Sequence, residues 1–534
     1  MKQLSALGRS SQKLLWKFRI QEARLRIWAR EWGLLDDPRH GKAEVRDHHD
    51  HKMVSETLLR ISELFHDYKR LKSRYGLLMV TDRPPLPSVA FSDYFGDAMS
   101  RNIDDMLAEE LTNFAKVDID LQKKRNQTNS VLKKFRLAIS DRSKLDLMIR
   151  DLRDYNDGLY ALLSSVERRQ LRQALAPELV TGENVEELQQ LAQASGNETT
   201  IAPTAELRVK RLRLEAAKSV PRPWGTSSSG LEDLCIPGRE IIFDQPASGV
   251  PRFQERAIAT YLNNADGHNE RRTVLVEWKS CDKDLGASLK SEQLSRLDTL
   301  ARLLHVSSKP AELRVPVCAG YILDDWHPRQ RTAPKTLYDG LGGSDVSFLG
   351  DRFRLAYELS LSLCLLHTAG WLHKGIRSES VLLLEDQKPS YSDAGHPYLL
   401  GFEYSRPDNA KAYSDQILYP TSRSNMYRHP RAQGPARDRF SRLHDIYALG
   451  VVLLEIGFWR RSEEFWHKSY TPELFSQDLC DFHAPKLGAK MGKIYMHAVL
   501  ICLKGDLEAG ATGDCEAQTE FFWRVVHPLP KLMA

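Results

Sequence analysis

Residues 370–380, GWLHKGIRSES, crowd a histidine, a lysine, an arginine, a glutamate and two serines into one polar loop. Such groups could move protons or hold a metal, and loops borne by a rigid scaffold are where proteins place them. A second concentration, RHGKAEVRDHHDH, carries His40, His48, His49 and His51. Adjacent imidazoles can ligate a metal, but no cysteine or well-spaced carboxylate completes a closed site. This stretch therefore reads as a solvated loop, with no metal expected.

The elements around the first loop are legible. An amphipathic stretch, RLAYELSLSLCLLHTAG, precedes it, and a short apolar strand, VLLL, follows. The chain around them has 534 residues, too many for one core, so two or three domains are expected. Its hydrophobic fraction of 42% and charged fraction of 28% are those of ordinary globular protein. A net charge of +5 is small for this length and gives no argument for nucleic-acid binding. Seven cysteines without a C-x-x-C pair argue against a disulfide framework or zinc site and fit a reducing compartment. No secretory signal opens the chain, and the longest apolar run, IYALGVVLLEIGFW, is too short to span a membrane and contains Glu455. A cytoplasmic protein is expected.

The first two hundred residues read as helices. Val54, Leu58, Ile61, Phe65 and Tyr68 recur at helical steps. After SDRS at 140–143, Leu145, Met148, Leu152, Tyr155, Leu159, Leu162 and Val166 form a seam alternating by three and four. A further segment sets Leu14, Phe18, Leu25, Trp28 and Trp32 near one face. These stripes read as the core of a helical bundle. The pieces ARLRIWAREWGLLDDPRH, LLRISELFHDYKRLKSRYGL and VLKKFRLAISDRSKLDLMIRDLRDYNDGLYALL resemble the fungal HeLo domain of prion-inhibition and incompatibility proteins, over roughly residues 14–175. HeLo domains usually begin with an apolar, membrane-inserting helix. Nothing before Leu14 resembles it, so pore formation is not expected of the chain as written.

Three domains are read: a HeLo-like bundle at 1–190, a linker at 191–235 and a second folded domain at 236–534. ASGNETTIAPTAE and SVPRPWGTSSSG have linker composition, and the basic RVKRLRLEAAK between them reads as a solvated helix. Beyond them RTVLVEWK and LRVPVCAGYI are strand candidates flanking a helical LKSEQLSRLDTLARLLH.

This layout, followed by a mainly helical half, resembles a protein kinase. LHKGIRSESVLL aligns without gaps to the catalytic loop, commonly H-R-D-L-K-P-E-N-I-L. YLLGFEYSR stands where D-F-G belongs, MYRHPRAQG resembles the A-P-E region, and HDIYALGVVLLEI matches the helix whose Asp supports the loop. The expected fold is thus an all-α bundle followed by an α+β bilobal kinase-like domain. The resemblance also implies which posts are filled. Gly375 stands for the catalytic Asp, Ser380 for the metal-binding Asn and Gly401 for the D-F-G Asp. Glycine can neither ligate a metal nor take a proton. His373, Glu379, Phe402 and Asp445 match residues that hold the scaffold. Lys279 fits the strand lysine that contacts phosphates, or equally is a charged residue ending an exposed strand. DQPASGVPRF lacks the Gly-rich phosphate pattern, and only Glu292 and Asp298 offer a glutamate-like partner. The segment LDDWHPRQRTAPKT has no apolar run for the strand leading to a hinge. Arg431 replaces the Glu of A-P-E, while Tyr419, Ser422 and Tyr427 are candidate phosphate acceptors.

A pseudokinase is the reading: no catalytic residue, no metal and no cofactor, with ATP kept only as the alternative. It would sense protein partners and couple to a helical effector or oligomerisation module in self/non-self recognition or regulated cell death. The order of bundle and pseudokinase is similar to that of animal necroptosis executioners. Partners are other proteins or a second copy, with membrane lipid left open and nucleic acid excluded. The alternative is an active serine/threonine kinase using Glu379 or Glu403 as the replacement carboxylate.

Overall fold

The computed structural model describes residues 9–32, 48–66, 142–196, 200–218, 234–243, 256–263, 270–278, 287–305, 309–323, 335–342, 347–384, 395–408, 422–433, 438–507 and 514–533. They form two compact units, one of residues up to Leu179 with Gln189–Ala202, the other of Val180–Leu188 with Pro203–Ala534.

The first unit is all helical: α1 Arg9–Glu31, α2 His48–His66, α3 Arg142–Ala161, α4 Ser165–Leu179 and the second half of α5 Val185–Ala194. In α1 the apolar Leu14, Ile20, Ile27 and Trp28 are buried, and so are the polar Gln21 and Arg24. The polar pair finds its partners on α3. Asn156, wholly buried, donates to the Gln21 carbonyl at 2.9 Å and to its side-chain oxygen at 3.1 Å. The Arg24 guanidinium donates to Gln21 and Asp157 and lies 4.6 Å from the Tyr160 ring. Trp28 Nε1 donates to the Leu159 carbonyl at 3.1 Å. The Asn156 amide N–H, the Gln21 side-chain oxygen, the terminal Arg24 nitrogens and the Trp28 N–H are all partnered, which offsets the cost of burying them. Their directionality sets the register of α1 on α3.

Several sequence expectations need correction here. His48, His49 and His51 belong to α2 and not to a loop, while His40 lies outside the described residues. Val54, Leu58 and Ile61 are buried as expected, with Leu64 beside them; the Phe65 side chain and Tyr68 lie outside the described residues. The long seam does not run on to Val166, which is 49% exposed. The Ser164 hydroxyl accepts from Glu167 N–H and the Glu167 carboxylate accepts from Ser164 N–H, a capping box that ends one helix and starts α4.

The second unit is mixed α/β. β1 Ile241–Phe243, β2 Arg256–Asn263 and β3 Glu270–Glu277 form an antiparallel sheet in the order β1-β2-β3, with Arg256 opposite Glu277. α7 Ala287–Leu304 follows. LRVPVCAGYI is not a strand: Arg314 adopts φ 46°, and only Tyr321 bridges to Cys235. Pro316 in its middle has no N–H to give a ladder. Next come α8 Leu349–Thr368, β4 Trp371–Leu372, the hairpin β5 Val381–Leu384 with β6 His396–Leu399, and β7 Arg406–Pro407, which pairs with β4. α9 Arg442–Phe458 packs on α8 and on α10 Leu487–Lys504.

The basic α6, Ile201–Lys218, is not solvated on all sides. Arg208 and Arg211 are buried, at 5% and 1% exposure. Arg208 donates to the Thr368 carbonyl at the C-terminus of α8 and to the carbonyls of Val180 and Thr181. Glu183 pairs with both guanidiniums. A cation at a helix C-terminus meets the negative end of the backbone dipoles and satisfies an orphan carbonyl. Arg211 also lies over Gly370, where a Cβ would come within 2.7 Å of it.

Candidate functional site

The loop after β4 is held from below by Asp445 on α9. Its carboxylate, wholly buried, accepts from the backbone N–H of His373 and of Lys374, each at 2.8 Å, and from His367 at 3.2 Å. Burial works to raise its pKa, but the His367 hydrogen bond, the neighbouring imidazoles and the backbone amide hold it below the usual carboxylate value. Lys374 takes φ 67° to present its N–H, a strained conformation for a side-chain-bearing residue. The buried His373 ring lies 4.5 Å from Phe402, and burial pushes its pKa down to about 4, so it stays neutral.

Above this floor the loop closes on itself. Ser380 Oγ lies 2.7 Å from the Gly375 carbonyl and 2.8 Å from the Arg377 carbonyl, which share its single proton, and accepts from Arg377 N–H at 2.9 Å. Its hydroxyl is committed to the loop's own backbone. A Cβ on Gly375 would stand 2.8 Å from the Gly401 carbonyl, so backbone occupies the space a side chain would need. Gly401 adopts φ 80°, and a Cβ there would come within 2.9 Å of Arg256.

Arg256, on β2, is the residue that sequence reasoning missed. Its Nε pairs with Glu277 at 2.5 Å, and its guanidinium donates to the Glu379 carbonyl. Glu277 in turn accepts from Gly401 N–H at 2.9 Å. A buried cation and its carboxylate thus tie the three-stranded sheet to Gly401 and Glu379. The register Arg256↔Glu277 is the cause, because opposed residues on antiparallel strands share a face. Its signal in the sequence was only one arginine and one glutamate near the ends of two strands.

Two comparisons with known families bear on the chain. The family model for a domain of unknown function, DUF7580, matches residues 244–531, more than half of the chain. The chain belongs to the DUF7580 family. Residues 1–191 match the HeLo family, described as prion-inhibition and propagation, so an N-terminal HeLo domain precedes the DUF7580 region. The comparison with curated proteins gives no match.

Other expected residues of the DUF7580 region have these places. Lys279, all of DQPASGVPRF and Tyr419 lie outside the described residues, as do the side chains of Glu292 and Ser422 and residues 324–334 of LDDWHPRQRTAPKT. Asp298 is committed to Arg302 at 2.8 Å within its own helix. Arg431 is exposed and pairs with Asp438 at 2.7 Å. The Glu379 carboxyl, its pKa raised by burial, faces Arg423 at 3.6 Å. Tyr427, expected as a surface phosphate acceptor, is instead buried at 2% exposure. Its hydroxyl donates to Glu455 at 2.7 Å and meets Ser378 and Ser462. The apolar α9 carries Glu455 inward, and burial pushes that carboxyl up to about 8. Among the described residues, no helix is long and apolar enough to cross a membrane and no group of three or more His, Cys, Asp or Glu could hold a metal.

Proposed function

We propose that residues 236–534 form a protein-kinase-like domain that transfers no phosphate and serves as a sensor or adaptor coupled to the HeLo domain. Support for the likeness comes from the order of elements: a three-stranded antiparallel sheet, a helix, then a helical half whose buried Asp445 holds the His373–Lys374 backbone. The observation that carries the non-catalytic reading is the Arg256–Glu277 pair on Gly401. A kinase needs carboxylates there to hold magnesium on a nucleotide. This chain offers Gly375, Ser380 and Gly401, with a guanidinium already paired among them. A cation supplied by the protein stabilises the closed arrangement without a nucleotide.

In this reading the domains are 1–190, 191–235 and 236–534, and the helical module acts on a protein partner or on a second copy in fungal self/non-self recognition or regulated cell death. The active-kinase alternative is not favoured, since Glu379 is turned to Arg423. The test is incubation of the full chain with Mg- or Mn-ATP carrying labelled γ-phosphate. No transfer above background is expected. Transfer that Lys279→Ala abolishes would sink the reading.

A further inference from the structure

The helical unit holds a cleft of about 830 Å³ whose charged walls come from three helices, with the end of α5 at Gln193–Gly196 completing the lining. α1 contributes Lys13, Lys17 and Arg24, α3 contributes Arg153 and Asp157, and α4 contributes Arg168 and Arg172. Six cations thus face one carboxylate. Within each helix 13/17, 153/157 and 168/172 are i,i+4 pairs that share a face, and the packing of the helices turns those faces to one cleft.

Two of those pairs carry like charges. Lys13 with Lys17, and Arg168 with Arg172, repel along their own helices and cost stability unless a counter-charge is present. Among the described residues Lys13, Arg153, Arg168 and Arg172 make no ion pair with a carboxylate. Lys17 reaches Asp146 only at 3.6 Å. The floor is organised in advance. Arg24, 8% exposed, is fixed by Gln21 at 3.1 Å, by Asp157 at 2.7 Å and by the Tyr160 ring. It therefore loses little freedom on meeting an anion. Guanidiniums match phosphate with parallel N–H donors, and four arginines on three helices suit a ligand with several phosphates. The volume falls within the range of small-molecule sites.

We propose that this cleft binds a small, multiply phosphorylated anion, either a free polyphosphorylated metabolite or the phosphorylated headgroup of a lipid. The site stands on the helical unit alone and does not depend on the kinase-like reading.

The test is calorimetric titration of the full chain with inositol hexakisphosphate and, separately, inorganic tripolyphosphate. A parallel arm sediments the chain with phosphatidylcholine vesicles, with or without phosphatidylinositol 4,5-bisphosphate. Saturable binding at one site per chain is expected, weakened at least tenfold by Arg153→Glu with Arg168→Glu. It should be unchanged by Arg271→Glu with Lys493→Glu, two exposed residues of the other unit that alter net charge equally. Circular dichroism melts establish that both doubles fold, and the milder Arg168→Ala with Arg172→Ala replaces the first double if it does not. Soluble binding without vesicle binding assigns a free metabolite. Vesicle binding that hexakisphosphate competes away assigns the headgroup. Absence of saturable binding to every probe, or equal loss in the two charge-matched doubles, overturns the proposal.

Discussion

Gly401 and Arg256 define what this centre can and cannot be made to do. Replacing Gly401 by Asp places a Cβ at φ 80° and within 2.9 Å of the Arg256 guanidinium. The expected result is a loss of about 1–3 kcal/mol of stability from strain, and no gain of γ-phosphate transfer. A thermal melt and the radiolabel assay read the two parts. Arg256→Ala strips Glu277 and the Glu379 carbonyl of their partner. It should destabilise by about 2–4 kcal/mol, less than a fully buried pair because Glu277 keeps 31% exposure. A double-mutant cycle with Glu277→Gln measured by urea unfolding should give a coupling of about 1 kcal/mol or more. A coupling near zero would remove the pair from its place in holding the sheet to Gly401.

Among the elements, α9 and α6 show how far patterns reach. The apolar run of α9 was readable as a buried helix, and Asp445 near its start was picked out through the resemblance. That Asp445 accepts two consecutive backbone N–H groups could be seen only once the loop was in place. Asp445→Ala should cost about 3–5 kcal/mol, since it orphans two buried donors and His367; denaturant titration tests this. α6 misled the pattern reading, because a run of arginines is normally solvated. Here Arg208 and Arg211 are buried against Glu183 and the end of α8. Ser164→Ala, by contrast, touches an exposed capping box and should cost only about 1 kcal/mol. The S-x-x-E signal at 164–167 was present in the sequence, and the three-four seam running past it concealed it.

For the whole molecule, His373, His444 and Glu455 are the described groups displaced furthest across the range from pH 4 to 8, and they dominate its pH profile. His373 and His444 are pushed down to about 4 from 6.5, both mainly by burial. The unfolded chain therefore takes up their protons first, and stability falls as pH drops from 6.5 toward 4. Glu455 is raised from 4.5 to about 8. The folded chain keeps that proton longer, so stability falls as pH rises from 4.5 through 8. His373 and His444 outweigh Glu455 between 4.5 and 6.5, with the lowered His429 and His483 acting with them and the raised Glu379 acting with Glu455, which places the expected maximum near pH 6.5. Melting temperatures at pH 5, 6.5 and 8 test the profile. Glu455→Gln should flatten its alkaline side, and an undiminished alkaline decline in that variant would remove Glu455 as the cause. By itself the sequence determined the helical first part, the mixed second part and the polar loop around Gly375, because periodicity and residue type are local properties. Only the tertiary structure decided that Arg256 meets Glu277 beside Gly401, that Tyr427 is buried on Glu455, and that six cations share one cleft. Each of those depends on strand register or helix facing, which bring together residues with no spacing rule between them.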